Sequence, residues 1–134
     1  METKKINYQS QGKKNRVKGK LFEVKVRADF ESKGYIVCKW ANNIDLEKGK
    51  IVPVKPKFNP FTKSIMYAGT GFPDYVCFKL NPCEILGVEC KVGKYLDANE
   101  KAKCKWLIDK GLKILIASRG DKRGEIKYED YNEI

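Results

Sequence analysis

The chain contains no histidine. Acid–base or metal chemistry therefore falls to Asp, Glu, Lys, Tyr or Cys. Ser-His and Cys-His hydrolases and His-ligated zinc centres are excluded. One constellation stands out against that background: Asp74 directly after Pro73, and Glu89 and Lys91 further on. The segments 74–80 (DYVCFKL) and 84–91 (EILGVECK) read as strands, with Asn81-Pro82-Cys83 as the turn between them. Side chains alternate along a strand, so Glu89 and Lys91 share a face. A loop of Asn81-Pro82 alone sets Asp74 opposite Glu89, and a loop of residues 81–84 sets it opposite Lys91. The longer loop is the expected one, because Pro82 cannot take the positive φ of a type I′ turn. In both registers Asp74 faces the side that carries Glu89 and Lys91.

Two carboxylates that close repel, and one takes up a proton unless a cation lies between them. Carboxylate oxygens suit Mg²⁺, with Mn²⁺ as a substitute. A divalent ion held by Asp74 and Glu89 binds a phosphate oxygen and lowers the pKa of a bound water. Lys91 then positions the attacking water or neutralises charge growing on the phosphoryl group. Alone, E-x-K is an ordinary pair on a solvated strand face. Here the charges interrupt apolar strands, with Ile85, Leu86, Val88 and Val92 around Glu89. Charge buried in such a setting is costly and tends to be functional.

The rest of the composition bears on the partner. The 134 residues fit one domain, and 28 Lys+Arg against 17 Asp+Glu give a formal charge of +11. That surplus favours a polyanion, because each phosphate contact releases condensed counterions. Nucleic acid is the expected partner; ribosomal and membrane-surface proteins share the same bias. The five cysteines are odd in number and form no C-x-x-C pair. They read as reduced thiols of a cytoplasmic protein. No run is long and apolar enough for a membrane span, and the lysine-rich N-terminus lacks the apolar core of a secretion signal.

The elements that must position the site follow from periodicity. Residues 1–16 are expected as a flexible basic arm carrying Lys13, Lys14 and Arg16. Residues 17–33 read as a helix stopped by Gly34. It has two apolar stripes, Val17/Leu21/Val24/Ala28 and Phe22/Val26/Phe30, which predict burial on two sides. A strand is expected over 35–40. Residues 41–72 read as a basic insertion loop interrupted by Pro53, Pro56 and Pro60, with a short edge strand at 51–54. Asp97-x-x-Glu100 resembles a capping box opening a helix that runs to about Lys110. Residues 112–117 (LKILIA) read as a buried strand, and 125–134 give only a poor signal for a short helix or strand. The order helix, strand, hairpin, helix, strand predicts a single α/β domain over 17–134 with a mixed central sheet.

Taken together, these residues resemble the PD-(D/E)XK, or restriction-endonuclease-like, nuclease superfamily. Pro73-Asp74 followed by Glu89-Cys90-Lys91 is the motif as it stands here. Gly19-Lys20-Leu21-Phe22-Glu23 and Lys33-Gly34-Tyr35 resemble the first helix of archaeal-type Holliday junction resolvases. Thr70 to Asp74, and Lys103-Cys104-Lys105-Trp106 before Gly111, resemble the virus-type replication-repair (VRR-NUC) branch. The resemblance implies a restriction-endonuclease-like core and metal-dependent hydrolysis of DNA. It also implies Glu23 as a further metal ligand, although a Glu at the rim of an apolar stripe is ordinarily solvated. Where Lys103 stands, the VRR-NUC branch usually has Gln. Lys103 is therefore a candidate phosphate contact, set against the ordinary reading of a solvated helix lysine.

The expected function is Mg²⁺-dependent endonucleolytic cleavage of DNA, with a Holliday junction as the favoured substrate and catalysis by Asp74, Glu89, Lys91 and Glu23. Lys13, Lys14, Arg16, Lys55, Lys57, Lys94 and Lys103 are the expected DNA contacts. Two active sites on opposed strands imply a homodimer. The competing expectations are a non-catalytic DNA-binding module on the same scaffold and a nuclease of RNA or single strands. Tyr67, Tyr75 and Tyr95 are weaker candidates as nucleophiles, since nothing in the pattern singles one out.

Overall fold

The computed structural model describes residues 8–54, 56–67, 71–93 and 96–133, with the side chains of 8–13, 56–57, 64–67 and 133 left aside. Lys55 and Lys94, two of the expected DNA contacts, lie outside the described residues, as do the side chains of Lys13 and Lys57.

Helix α1 spans Tyr8–Ser32. Its start lies well inside the stretch read as an arm, so that stretch is helical from Tyr8 on. Polar composition alone does not oppose a helix: Lys, Gln and Arg are good helix formers, and no proline intervenes. The chain leaves α1 through Gly34 at φ 91°, a conformation that costs glycine little. Of the two apolar stripes only one meets the sheet. Phe22, Val26 and Phe30 are buried, while Val17, Leu21 and Val24 are exposed. The expected burial on both sides is corrected to burial on one.

Five strands form the central sheet: β1 (Ile36–Lys39), β6 (Tyr75–Lys79), β7 (Glu84–Cys90), β8 (Lys113–Arg119) and β9 (Ile126–Asp130), in that spatial order. Only the β7–β8 pairing is parallel, so the sheet is mixed. Helix α2 (Ala98–Asp109) makes that crossover. The poor signal of the tail resolves into β9 and a 3₁₀ turn, Tyr131–Glu133. The segment expected as an insertion loop contains two hairpins, β2 (Asn42–Asp45) with β3 (Lys50–Pro53), and β4 (Pro56–Asn59) with β5 (Ser64–Tyr67). The strand expected at 51–54 therefore pairs inside its own hairpin instead of at the edge of the sheet.

The two faces of the sheet carry two cores. On one, Phe22, Val26 and Phe30 of α1 pack on Val37, Tyr75, Cys77, Leu86, Val88 and Ala117. On the other, Cys104 and Leu107 of α2 pack with Ile44, Phe72, Ile114 and Ile116. Alternation along β7 and β8 fixes which residue goes where: Leu86 and Val88 turn toward α1, so Gly87 and Glu89 turn toward α2. The chain is thus an α/β domain with a mixed five-stranded sheet between two helices. No helix among the described residues is long and apolar enough to cross a membrane.

Candidate functional site

Asp74 owes its position to two close approaches. Gly71 runs against the chain after β1, where an added Cβ would lie 1.9 Å from the Trp40 carbonyl oxygen. The crossing is sewn by Phe72 N donating to Asn42 O (2.8 Å) and Trp40 N donating to Asp74 O (3.0 Å). Pro73 then settles over Gly87 of β7, where any Cβ would stand 2.9 Å from Pro73 Cγ and 2.8 Å from Ile114 Cδ1. Glycine in a strand interior commonly marks such a backbone approach. With Pro73 fully buried there, Asp74 emerges where β6 begins and β7 ends.

The hairpin register pairs Tyr75 with Val88 and Lys79 with Glu84. One further step along it sets Asp74 opposite Glu89. This corrects the favoured register, which set Asp74 opposite Lys91. The connection is the four-residue turn Leu80–Cys83, not residues 81–84, and Asn81 supplies the positive φ (65°) ahead of a cis Asn81-Pro82 bond. Pro82 fits this turn because the positive φ falls on Asn81 and not on the proline. Asp74 Oδ2 accepts a hydrogen bond from Cys90 N (2.8 Å), which pins the carboxylate to the end of β7.

Glu89 is the unusual residue. It is only 5% exposed, and among the described residues its Oε2 is buried without a hydrogen-bond partner. Its parallel neighbour on β8 is Ile116. Burial pushes its pKa up to about 10, and a hydrogen bond with Asp74 and the Asp74 charge push the same way, against a smaller pull from Lys91. The pair therefore keeps one proton at neutral pH. A proton is what two crowded carboxylates take up when no cation lies between them.

Lys91, on the same face, turns to α2, where Nζ pairs with Glu100 Oε2 (2.5 Å). Burial works to lower its pKa, but the hydrogen bond and charge of Glu100, with Glu89 and Asp74 behind, outweigh it and the net shift is upward. Glu100 has a second task, since the expected capping box is present. Asp97 Oδ1 accepts from Glu100 N (2.7 Å), and Glu100 Oε1 accepts from Asp97 N (3.1 Å). One side chain thus fixes both the start of α2 and the ammonium of Lys91. Sequence reasoning saw the cap and missed this second role. The signal was the spacing that starts α2 immediately after the strand bearing Lys91.

Lys103, one turn along α2 from Glu100, holds Nζ 5.8 Å from the centre of the Phe72 ring. The helix thus leans a cation toward the segment that carries Asp74. Glu23 approaches from the other layer. Tyr75 Oη donates to Glu23 O (3.1 Å), which ties α1 to the start of β6. Partial burial raises the Glu23 pKa, the Asp74 charge adds to it, and Lys39 and Lys20 oppose it. Glu23 therefore feels Asp74 without joining the Asp74/Glu89 pair. Among the described residues no three acidic or thiol side chains converge as a ready set of metal ligands. Lys14 and Arg16 are exposed on the N-terminal half of α1. Tyr75, weighed as a nucleophile, is buried, and burial first and Glu23 second raise its pKa to about 12. It is a packing residue.

No protein-family model, curated protein or solved structure gives a significant match to the chain.

Proposed function

We propose that the protein is a metal-dependent DNA endonuclease built on a restriction-endonuclease-like core. The observation that carries this reading is the Asp74/Glu89 pair, with an unpartnered buried oxygen on Glu89. Such an oxygen is costly unless something occupies it. The donor set fits Mg²⁺ or Mn²⁺: hard carboxylate oxygens, one buried and one anchored to a backbone N–H. Asp74 and Glu89 would hold the ion, with Glu23, whose carboxylate feels the Asp74 charge, as the candidate third ligand. When bound, it supplies Lewis-acid polarisation of a phosphoryl oxygen and a more acidic water.

The remaining chemistry belongs to the chain itself. Lys91, kept protonated by Glu100, offers a cation to the non-bridging oxygens as charge accumulates. Lys103 adds a second cation on the α2 side, and Lys14 and Arg16 extend the positive surface along α1. The substrate class we favour is branched DNA, of which a Holliday junction is the leading example. The β4–β5 hairpin supports a substrate with unstacked bases, because it leaves Phe58 and Phe61 in solvent beside Lys63. Exposed Val17 and Val24 of α1 mark the face we assign to a second copy, so that two sites address opposed strands.

The test is a nicking assay on four-way, flapped, duplex and single-stranded DNA and on RNA, with Mg²⁺ and with EDTA. Products that need the metal and vanish in Asp74→Ala are the expected result. Binding without cleavage across all substrates and metals would replace the enzyme with a binding module. Products from RNA alone would move the substrate class.

A further inference from the structure

A cleft of about 430 Å³ opens between α1 and the β8–β9 turn, on the face of the sheet opposite to the one toward which Glu89 turns. Its rim carries five cations: Lys18 and Lys25 on α1, and Arg119, Lys122 and Arg123 on the turn. All five are exposed, and none enters an ion pair among the described residues. The cleft holds two acids, Asp121 and Glu125. Glu125 is committed to the turn itself, accepting from Lys122 N through Oε2 (3.2 Å). The turn is closed by Gly120 N to Glu125 O (2.8 Å) and Glu125 N to Lys122 O (3.0 Å). The three turn cations thus sit on a braced backbone. Five like charges around one concavity repel one another and favour an anion there.

The location says which anion. Asp74 precedes β6, Lys91 follows β7 and Arg119 ends β8, so the acidic pair and the cleft share one end of the sheet. Lys91 N donates to Ala117 O (2.8 Å), two residues before Arg119. Neighbouring strands lie about 4.8 Å apart, and Arg119 stands three residues past Ile116, the register partner of Glu89, so the cleft begins on the order of 10 Å from the acids, around the rim on the α1 side of the sheet. A single stretch of nucleic-acid backbone spans such a distance. Apolar material at the cleft floor, Leu21 and Phe22, leaves no ladder of donors and acceptors for reading base edges.

We propose that this cleft is the backbone-phosphate subsite of the nucleic acid whose scissile phosphate meets Asp74 and Glu89. The assignment rests on the nuclease reading for the identity of that substrate. None of its five cations stood out in the sequence, because they come from two segments far apart in the chain.

The experiment measures binding of labelled four-way and duplex DNA in EDTA, where cleavage is silent, across a salt series. Three full-length variants are compared with the parent: Arg119→Glu/Arg123→Glu, Lys18→Glu/Lys25→Glu, and the control Lys105→Glu/Lys110→Glu on α2 and its C-cap. All three change the net charge equally. Each cleft variant is expected to lose at least ~10-fold in affinity at moderate salt, with the log–log salt slope reduced by about 2. The control should keep the parental slope. The second cleft variant keeps the test valid if the turn variant fails to fold, as judged by circular dichroism. Cleft variants that bind like the control overturn the subsite, whether or not the protein cleaves. A parent that binds through the cleft but cuts nothing with Mg²⁺ overturns the nuclease reading and leaves the cleft standing.

Discussion

The acidic pair and the basic cleft occupy one end of one sheet and are made in opposite ways. Asp74 and Glu89 are set by strands, with Glu89 at 5% exposure and Asp74 held by a backbone N–H. The cleft cations stand in solvent on a helix flank and a turn. Inside, a charge is expensive and its neighbours must be exact in shape. Outside, each charge is cheap, and its effect comes from numbers and long-range attraction. The two regions should therefore respond differently to the same kind of substitution: the pair steeply, the surface in small additive steps.

The sharpest way to break that contrast is Glu89→Gln. The folded pKa of Glu89 lies near 10, above its ordinary 4.5. Between those values the unfolded chain has released the proton that the folded chain retains. Stability from this group is therefore full below about pH 4.5 and falls as pH rises across the window. Gln removes that slope. In EDTA, Glu89→Gln should match the parent in urea at pH 5 and exceed it by about 4 kcal/mol at pH 8, about 1.4 kcal/mol for each pH unit inside the window. Cleavage should drop by at least ~10²-fold. A group that stabilises the fold when neutralised, yet abolishes activity, is retained for function. Equal urea midpoints at both pH values would show that Glu89 is not held protonated by its surroundings.

Gly87→Ala probes the same region through shape alone. Its new Cβ would crowd Pro73 Cγ and Ile114 Cδ1, and the proline cannot rotate away. Overpacking of this kind costs about 1–3 kcal/mol. Because Pro73 carries Asp74, cleavage should fall further than the loss of folded protein explains. Thermal melting and activity at a temperature well below the transition separate the two effects. An alanine variant with full activity would mean that Asp74 is positioned by the backbone bonds alone.

How much of this was readable without coordinates follows from the same contrast. Asp74, Glu89 and Lys91 stood out because they interrupt apolar strands, and strand alternation put them on one side in either register. The order of the central elements and the capping box at Asp97 were legible for the same reason: periodicity is local. Three things were not. The hairpin register turned on the backbone that Asn81 adopts, which composition does not specify. The start of α1 was placed too late, because a polar helix without an apolar stripe resembles an arm. Glu100 as the partner of Lys91, and the cleft on α1 and the β8–β9 turn, depend on packing between distant segments. Sequence spacing says nothing of those.

Glu100→Gln tests the link between the two regimes, since Glu100 is a partly buried charge acting on another. The amide keeps an oxygen for Asp97 N but gives up the charge that raises the Lys91 pKa. Helix stability should fall by ~0.5 kcal/mol, within the range for a weakened cap. Cleavage should fall about tenfold, with the alkaline limb of its pH profile moved to lower pH as Lys91 loses its proton earlier. An unmoved limb would detach Lys91 from the reaction and leave Glu100 as a cap only.

The smallest effect is expected at Phe61, and it sharpens the contrast from the outer side. Its ring is 95% exposed on the turn that joins β4 and β5, with Phe58 also in solvent on β4. Nothing in the fold is gained by a ring left in water, so Phe61→Ala should leave the melting temperature unchanged. Base stacking on an aromatic ring contributes about 1–3 kcal/mol when fully engaged. A ring at a hairpin tip reaches the lower end of that range, so binding to four-way DNA should weaken about fivefold. Continuous duplex offers no unstacked base, and its affinity should stay within twofold. The ratio of the two affinities is therefore the quantity to measure. Equal losses on both substrates would assign Phe61 to general adhesion, and the preference for branched DNA would have to arise from the spacing of two active sites.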